Sequence, residues 1–186
     1  MGGLGYLEVK EELKYKGPID KFIPDDMKME LAKMAGLQEG DTIFFIAAPE
    51  KAACIYAGQI RNELGSRLDL LEKDAYRFCY INDFPMYEID EETGKLGFTH
   101  NPFSMPQGGL EALNEKDPLD ILAYQYDIVC NGVELSSGAV RNHDMEIMEK
   151  AFDIAGYDKE TLKDKFGALY NAFQFGAPPH AGMAPG

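Results

Sequence analysis

The chain has 186 residues, 45% of them apolar and 11% aromatic, enough for one large domain or two small ones and incompatible with a disordered polypeptide. Its 32 acidic against 18 basic residues give a formal charge of −14, which argues against nonspecific nucleic-acid binding, because that rests on neutralising phosphates with Lys and Arg. Three cysteines, Cys54, Cys79 and Cys130, without CxxC spacing argue against a disulfide framework or a structural zinc site and fit a reducing cytoplasm.

In chain order, residues 4–9 alternate apolar and polar and predict a strand. Asp25 or Asp26 is placed to cap a helix running to about Ala35, with Gly36 as its stop. Residues 42–48, rich in β-branched and aromatic side chains, predict a strand, and residues 50–64 a helix closed by Gly65. Strand, helix, strand, helix makes a small α+β unit. From about Asp69 the texture turns to β-like runs at residues 76–83, 86–89, 96–99 and 124–135, with a hairpin turn at residues 91–95. Residues 101–109 form a loop with two prolines and two glycines. Residues 144–155 and 158–175 have helical periodicity, N-cap candidates and glycine stops at Gly156 and Gly176, and the Gly/Pro-rich residues 176–186 predict no regular element. The N-terminus lacks the regions of a signal peptide and no apolar run approaches a membrane span, so the expectation is a soluble cytoplasmic chain with no membrane partner.

The most informative stretch is residues 126–141. It begins as an apolar strand, sets Asp127 and Glu134 seven residues apart, then passes through small residues to Arg141. On a regular strand that spacing puts the two carboxylates on opposite faces, so aligning them needs a bulge or bend near Asn131-Gly132. Aligned, the segment offers carboxylates for Mg²⁺ and a guanidinium fork for a carboxylate, which suits a metal-bound triphosphate beside an acidic small molecule.

Four ordered motifs resemble the C-terminal half of the catalytic domain of bacterial-type aspartyl-tRNA synthetases: residues 83–87 (DFPMY), 99–106 (THNPFSMP), 126–143 and 176–182 (GAPPHAG). Residues 3–6, 17–22 and 40–47 resemble, more weakly, the later part of the GAD insertion domain of the same enzymes. The resemblance implies an α+β chain, with a partial GAD-like domain at residues 1–68 and a partial class II catalytic domain at residues 69–186. In the second, helices flank an antiparallel sheet that ends before the last ATP motif. It implies ATP and Mg²⁺ as cofactors, held through Glu134 and Asp127. L-aspartate would be read by Arg141 and touched by His100 from a mobile loop that closes over the site. The partners implied are tRNA(Asp) and a second subunit of a homodimer. Asn101 stands where many relatives have a second histidine, and Ser136-Ser137-Gly138 where many have a glycine run.

The resemblance further implies an internal fragment, inactive by itself, because the family's upstream and last ATP-binding arginines have no counterpart in these residues. No catalytic residue is therefore named. A zinc hydrolase is disfavoured because no two of the three histidines have HxxxH spacing. His143 and His180 are read as loop packing. Two readings of different class stand: an aspartate–tRNA ligase fragment retaining part of the aspartyl-adenylate site, and a non-catalytic folded module that binds a partner or packs as a scaffold.

Overall fold

The computed structural model describes residues 4–186, with Leu13 by its backbone only. Met1, Gly2 and Gly3, which belong to the stretch read for a signal peptide and to the first GAD-like motif, lie outside the described residues. The chain divides into two compact units, Met1–Lys73 and Asp74–Gly186.

In the first unit β1 (Gly5–Val9) lies antiparallel between β2 (Tyr15–Lys16) and β3 (Thr42–Phe45). The alternation of β1 buries Leu7 and Val9 completely. Helix α1 (Asp25–Ala35) ends at Gly36, whose φ of 60° is the left-handed stop expected there. Its start differs from expectation: Pro24 is the N-cap, and neither Asp25 nor Asp26 makes a capping bond. Asp25 instead meets Lys28 one turn on, at 3.3 Å, where its charge also suits the positive end of the helix. Helix α2 (Glu50–Arg67) runs through Gly65 rather than stopping at it. The Gly65 carbonyl accepts from the Leu70 N–H at 2.9 Å, so the last turn is closed by backbone bonds beyond the glycine.

The second unit is a four-stranded antiparallel sheet in the order β4 (Phe78–Pro85), β7 (Leu122–Cys130), β8 (Val133–Val140), β9 (Ala181–Pro185), with a separate hairpin of β5 (Tyr87–Ile89) and β6 (Leu96–Phe98). The β5–β6 turn is tied by Asp90, whose carboxylate accepts from the Glu92 and Thr93 N–H groups and the Thr93 hydroxyl. The apolar run at residues 124–135 is not one strand. It reverses at Asn131-Gly132, whose φ values of 50° and 81° suit the tight turn between β7 and β8. The Asn131 side chain holds that turn to the start of β4, accepting from the Arg77 N–H and donating to the Ala75 carbonyl.

The C-terminal segment is also more ordered than its composition suggests. Ala181–Pro185 pairs along β8 from Val140 to Ser136. Gly, Ala and Met have little strand preference of their own, so the ladder offered by β8 supplies what local propensity does not.

Helices α3 (Gly109–Glu115), α4 (Met145–Ile154) and α5 (Lys159–Phe173) accompany the sheet. Asp144 caps α4 by accepting from the Glu146 and Ile147 N–H groups, and Asp158 caps α5 by accepting from the Thr161 N–H. One core cluster gathers Met86, Tyr87, Leu113, Ile121, Ala123 and Ala151. A second joins Met148 and Phe152 of α4 to Leu162 and Tyr170 of α5. Phe152 sits among Phe98, Phe103, Tyr157 and Phe166 with ring centroids 4.9–6.0 Å away. These contacts fix the base from which residues 101–109 and 141–144 extend toward the site.

Candidate functional site

The β7–β8 hairpin solves the alignment of the two carboxylates. Glu134 lies opposite Val129 and Asp127 opposite Ser137, with a register shift between Ile128 and Val129. Residues 127 and 129 share a face of β7, and cross-strand partners share a face, so Asp127 and Glu134 emerge on the same side as diagonal neighbours. The turn at Asn131-Gly132 brings them together, and the bulge at residue 135 restores the alternation so that Ser137 faces Asp127. Asp127 is half-buried and Glu134 exposed.

Arg141 follows β8 on that same face. Its N–H donates to the His180 carbonyl at 2.9 Å, and it bridges to Ser104. The guanidinium lies 6.0 Å from the Phe103 ring and, among the described residues, has no carboxylate partner. Arg141 lines a cavity of about 310 Å³ together with Asn101, Ser137, Ala139, His180 and β9 at Gly182 and Met183. Arg141 is the only Lys or Arg among the lining residues. A half-buried cation facing a concave space without an anion is suited to receive one, since an Arg fork binds carboxylate bidentately.

The segment expected to close over the site is held in place instead. Where β7 and β8 diverge, residues 103–107 enter between them. Met105 N–H donates to Val140 O and Gln107 N–H to Leu122 O, while Tyr124 N–H donates to Met105 O and Asn142 N–H to Phe103 O, all at 2.8–2.9 Å. Ser104 and Pro106 are fully buried. Diverging strands leave backbone donors and acceptors that a third segment must satisfy, so this stretch is a wedge in the sheet and not a lid.

His100 sits before the wedge, exposed, with its ring edge-on to Phe84 at 5.2 Å, and it does not line the Arg141 cavity. Asn101, its neighbour, does. His180, read as loop packing, both packs and lines the cavity: its ring lies 6.0 Å from Phe173 and 6.4 Å from His143. The signal for it was its place in the GAPPHAG motif. His143 also contacts the Arg141 carbonyl through Nδ1, at 3.2 Å, and is not among the residues that line the cavity. Among the described residues no group of three or more His, Cys, Asp or Glu side chains is placed to hold a metal ion by itself, and no helix is long and apolar enough to cross a membrane.

A family model described as tRNA synthetases class II (D, K and N) matches residues 7–186. The chain belongs to this family. The class II relatives include the aspartate–tRNA(Asp/Asn) ligases of Ehrlichia chaffeensis, 55% identical over 99% of this chain, and of Gluconobacter oxydans, 56% identical over all of it. That of Zymomonas mobilis is 57% identical over 99%. The chain spans 31% of the length of each. Among solved structures an aspartyl-tRNA synthetase from Entamoeba histolytica is similar over 85% of this chain and 25% of its own, at 22% identity and a TM-score of 0.42. The resemblance drawn from the four motifs is thus borne out at the level of family, and the mixed α+β architecture with antiparallel sheets agrees with it.

Proposed function

We propose that this chain supplies the amino-acid side of the adenylate site in an aspartate–tRNA ligase, the enzyme that activates L-aspartate with ATP and passes it to tRNA. The observation that carries this is Arg141, a cation without an ion-pair partner among the described residues, set in a cavity of about 310 Å³. A substrate side-chain carboxylate completes that arrangement. A neutral asparagine side chain leaves the guanidinium unsatisfied, which gives discrimination by charge rather than size.

The donor set on the β7–β8 face fits Mg²⁺. Two hard carboxylates, one exposed, leave room for phosphate oxygens and water, the usual environment of an ATP-bound magnesium. Asp127 and Glu134 would hold it, and the ion would neutralise and orient the phosphates. Ser137, opposite Asp127, lines the Arg141 cavity, so the two subsites adjoin. His100 would meet the substrate from outside the cavity. The working setting of the protein is cytoplasmic, and its further partners are tRNA and a second subunit. The relatives' names extend the tRNA to both the Asp and Asn acceptors.

The test is calorimetric titration with a non-hydrolysable aspartyl-adenylate analogue. The chain binds it, and Arg141→Ala weakens binding by at least about 30-fold, the scale of leaving one member of a buried charge pair unpaired, about 2 kcal/mol or more. The asparaginyl analogue binds both proteins equally poorly. With only one cation in the cavity, the chain alone gives no ATP–pyrophosphate exchange above background. Equal affinity of the Arg141→Ala protein for the aspartyl analogue would sink the proposal.

A further inference from the structure

The Arg141 cavity has one wall that the β7–β8 hairpin does not supply. It is β9, whose Ala184, Met183 and Gly182 are the ladder partners of Ser137, Gly138 and Ala139 and, with Ala181, line the cavity beside them. Its residues have little strand propensity. The β8 ladder holds that strand, and the Tyr126 side chain adds a second hold.

Tyr126 alternates with Asp127 and therefore emerges on the opposite face of β7. It lies opposite Gly138 in the ladder, and Gly138 in turn lies opposite Met183 of β9. The ring lies across Gly138: a methyl group added there would collide with it and stand 2.5 Å from the Gly182 carbonyl oxygen. Beyond Gly138 the phenol hydroxyl donates to that same carbonyl at 2.9 Å. One side chain thus crosses β8 where β8 has no side chain and ends on the backbone of β9.

We infer that Tyr126 is a positioning residue: from the back of the sheet its ring, laid over Gly138, braces β9 against β8 and so holds in place the strand that lines the cavity beside Arg141. The inference rests on the reading of that cavity as the substrate carboxylate site. The ring supplies most of the brace, because the contact area over Gly138 is apolar and the β8–β9 ladder carries its own hydrogen bonds. The hydroxyl supplies the smaller part, since an exposed tyrosine hydroxyl can exchange its acceptor for water.

Hydrogen exchange and analogue binding, on this chain with Tyr126→Phe and Tyr126→Ala, separate the possibilities. Tyr126→Phe keeps amide protection in β9 within about threefold of wild type and affinity for the aspartyl-adenylate analogue within about twofold. Tyr126→Ala raises exchange in residues 181–185 by tenfold or more and leaves the β4–β7 amides unchanged. Its affinity falls by a similar factor, and in the Arg141→Ala background the same change costs little more, as expected of a residue that acts through the Arg141 cavity. Unchanged β9 exchange in Tyr126→Ala overturns the inference while leaving the Arg141 reading intact. Full additivity of the two losses also overturns it. If wild type binds no analogue, the Arg141 reading fails, whereas β9 exchange still decides whether Tyr126 is the brace.

Discussion

At Gly138 the chain has no room for a single additional carbon. Of its neighbours, the Tyr126 ring can withdraw only by leaving its rotamer, and the Gly182 carbonyl only by moving β9. Gly138→Ala should therefore cost about 1–3 kcal/mol, the usual range for overpacking, and the cost should be concentrated in β9. Urea unfolding followed by circular dichroism measures the first part; exchange at residues 181–185 measures the second. A Gly138→Ala protein as stable as wild type, with β9 amides still protected, would contradict the geometry. The sequence resemblance marks residues 136–138 as a place where many relatives carry glycines. The structure shows why the third position has no room for a side chain: it lies under the Tyr126 ring. The reading of Arg141 as a ligand, by contrast, comes from its motif, because the proposed role depends on charge and on being close in sequence to the carboxylate strand.

Elements built from local signals were readable, and those built by a neighbour were not. Asp144 and Asp158 are N-caps in both the sequence and the structure, and Gly36 stops α1 as its left-handed φ requires. Asp144→Ala should remove the acceptor for two N–H groups and cost about 1 kcal/mol, read as a lower urea midpoint at unchanged slope. A changed slope would instead mean that the helix start, not only its cap, had been lost. The misread elements have a common cause. Asn131-Gly132 reads in the sequence as a bulge or bend within the run at residues 124–135, although Asn-Gly is the residue pair that best tolerates the positive φ of a tight hairpin. Gly65 was taken as a helix end because propensity weighs against glycine, yet the carbonyls around it find partners beyond it. Strand β9 and the wedge at residues 103–107 have no local strand signal, and each forms because an adjacent strand presents unsatisfied backbone groups. Strand β9 lines the cavity, which is why that lining could not be assembled from spacing alone.

For the whole molecule, the ionic contacts bear on pH more than on net stability. Asp158 has its carboxyl below the ordinary value because it accepts from the Thr161 backbone; Asp90 likewise from Thr93, and Glu8 from Lys10. Glu149 is a contest. Burial pushes its carboxyl up, but hydrogen bonds from Lys159 at 2.8 Å and Tyr170 at 2.5 Å, with the charges of Lys159 and Lys163, outweigh it and hold it below 4.5. Groups depressed in the folded state contribute stability that is present above their ordinary values of 3.8–4.5 and is lost as pH falls through the folded ones. On the alkaline side, hydrogen bonding to Glu149 raises Tyr170 and Lys159, bonding to Asp20 raises Lys28, and burial raises Tyr87. Their contribution is present below 10.0–10.5 and is lost as pH rises through the raised values. Stability should therefore be flat from about pH 5.5 to 9.5 and fall on both sides. Glu149 is the one group that feeds both limbs, so Glu149→Gln should lower the urea midpoint across the plateau and flatten the acid limb and the alkaline limb together. The gap between Glu149→Gln and wild type should close as pH falls through the lowered Glu149 value and the wild-type carboxylate is itself protonated. A gap that stays constant down the whole acid limb would mean that the Glu149 network contributes through packing, not charge.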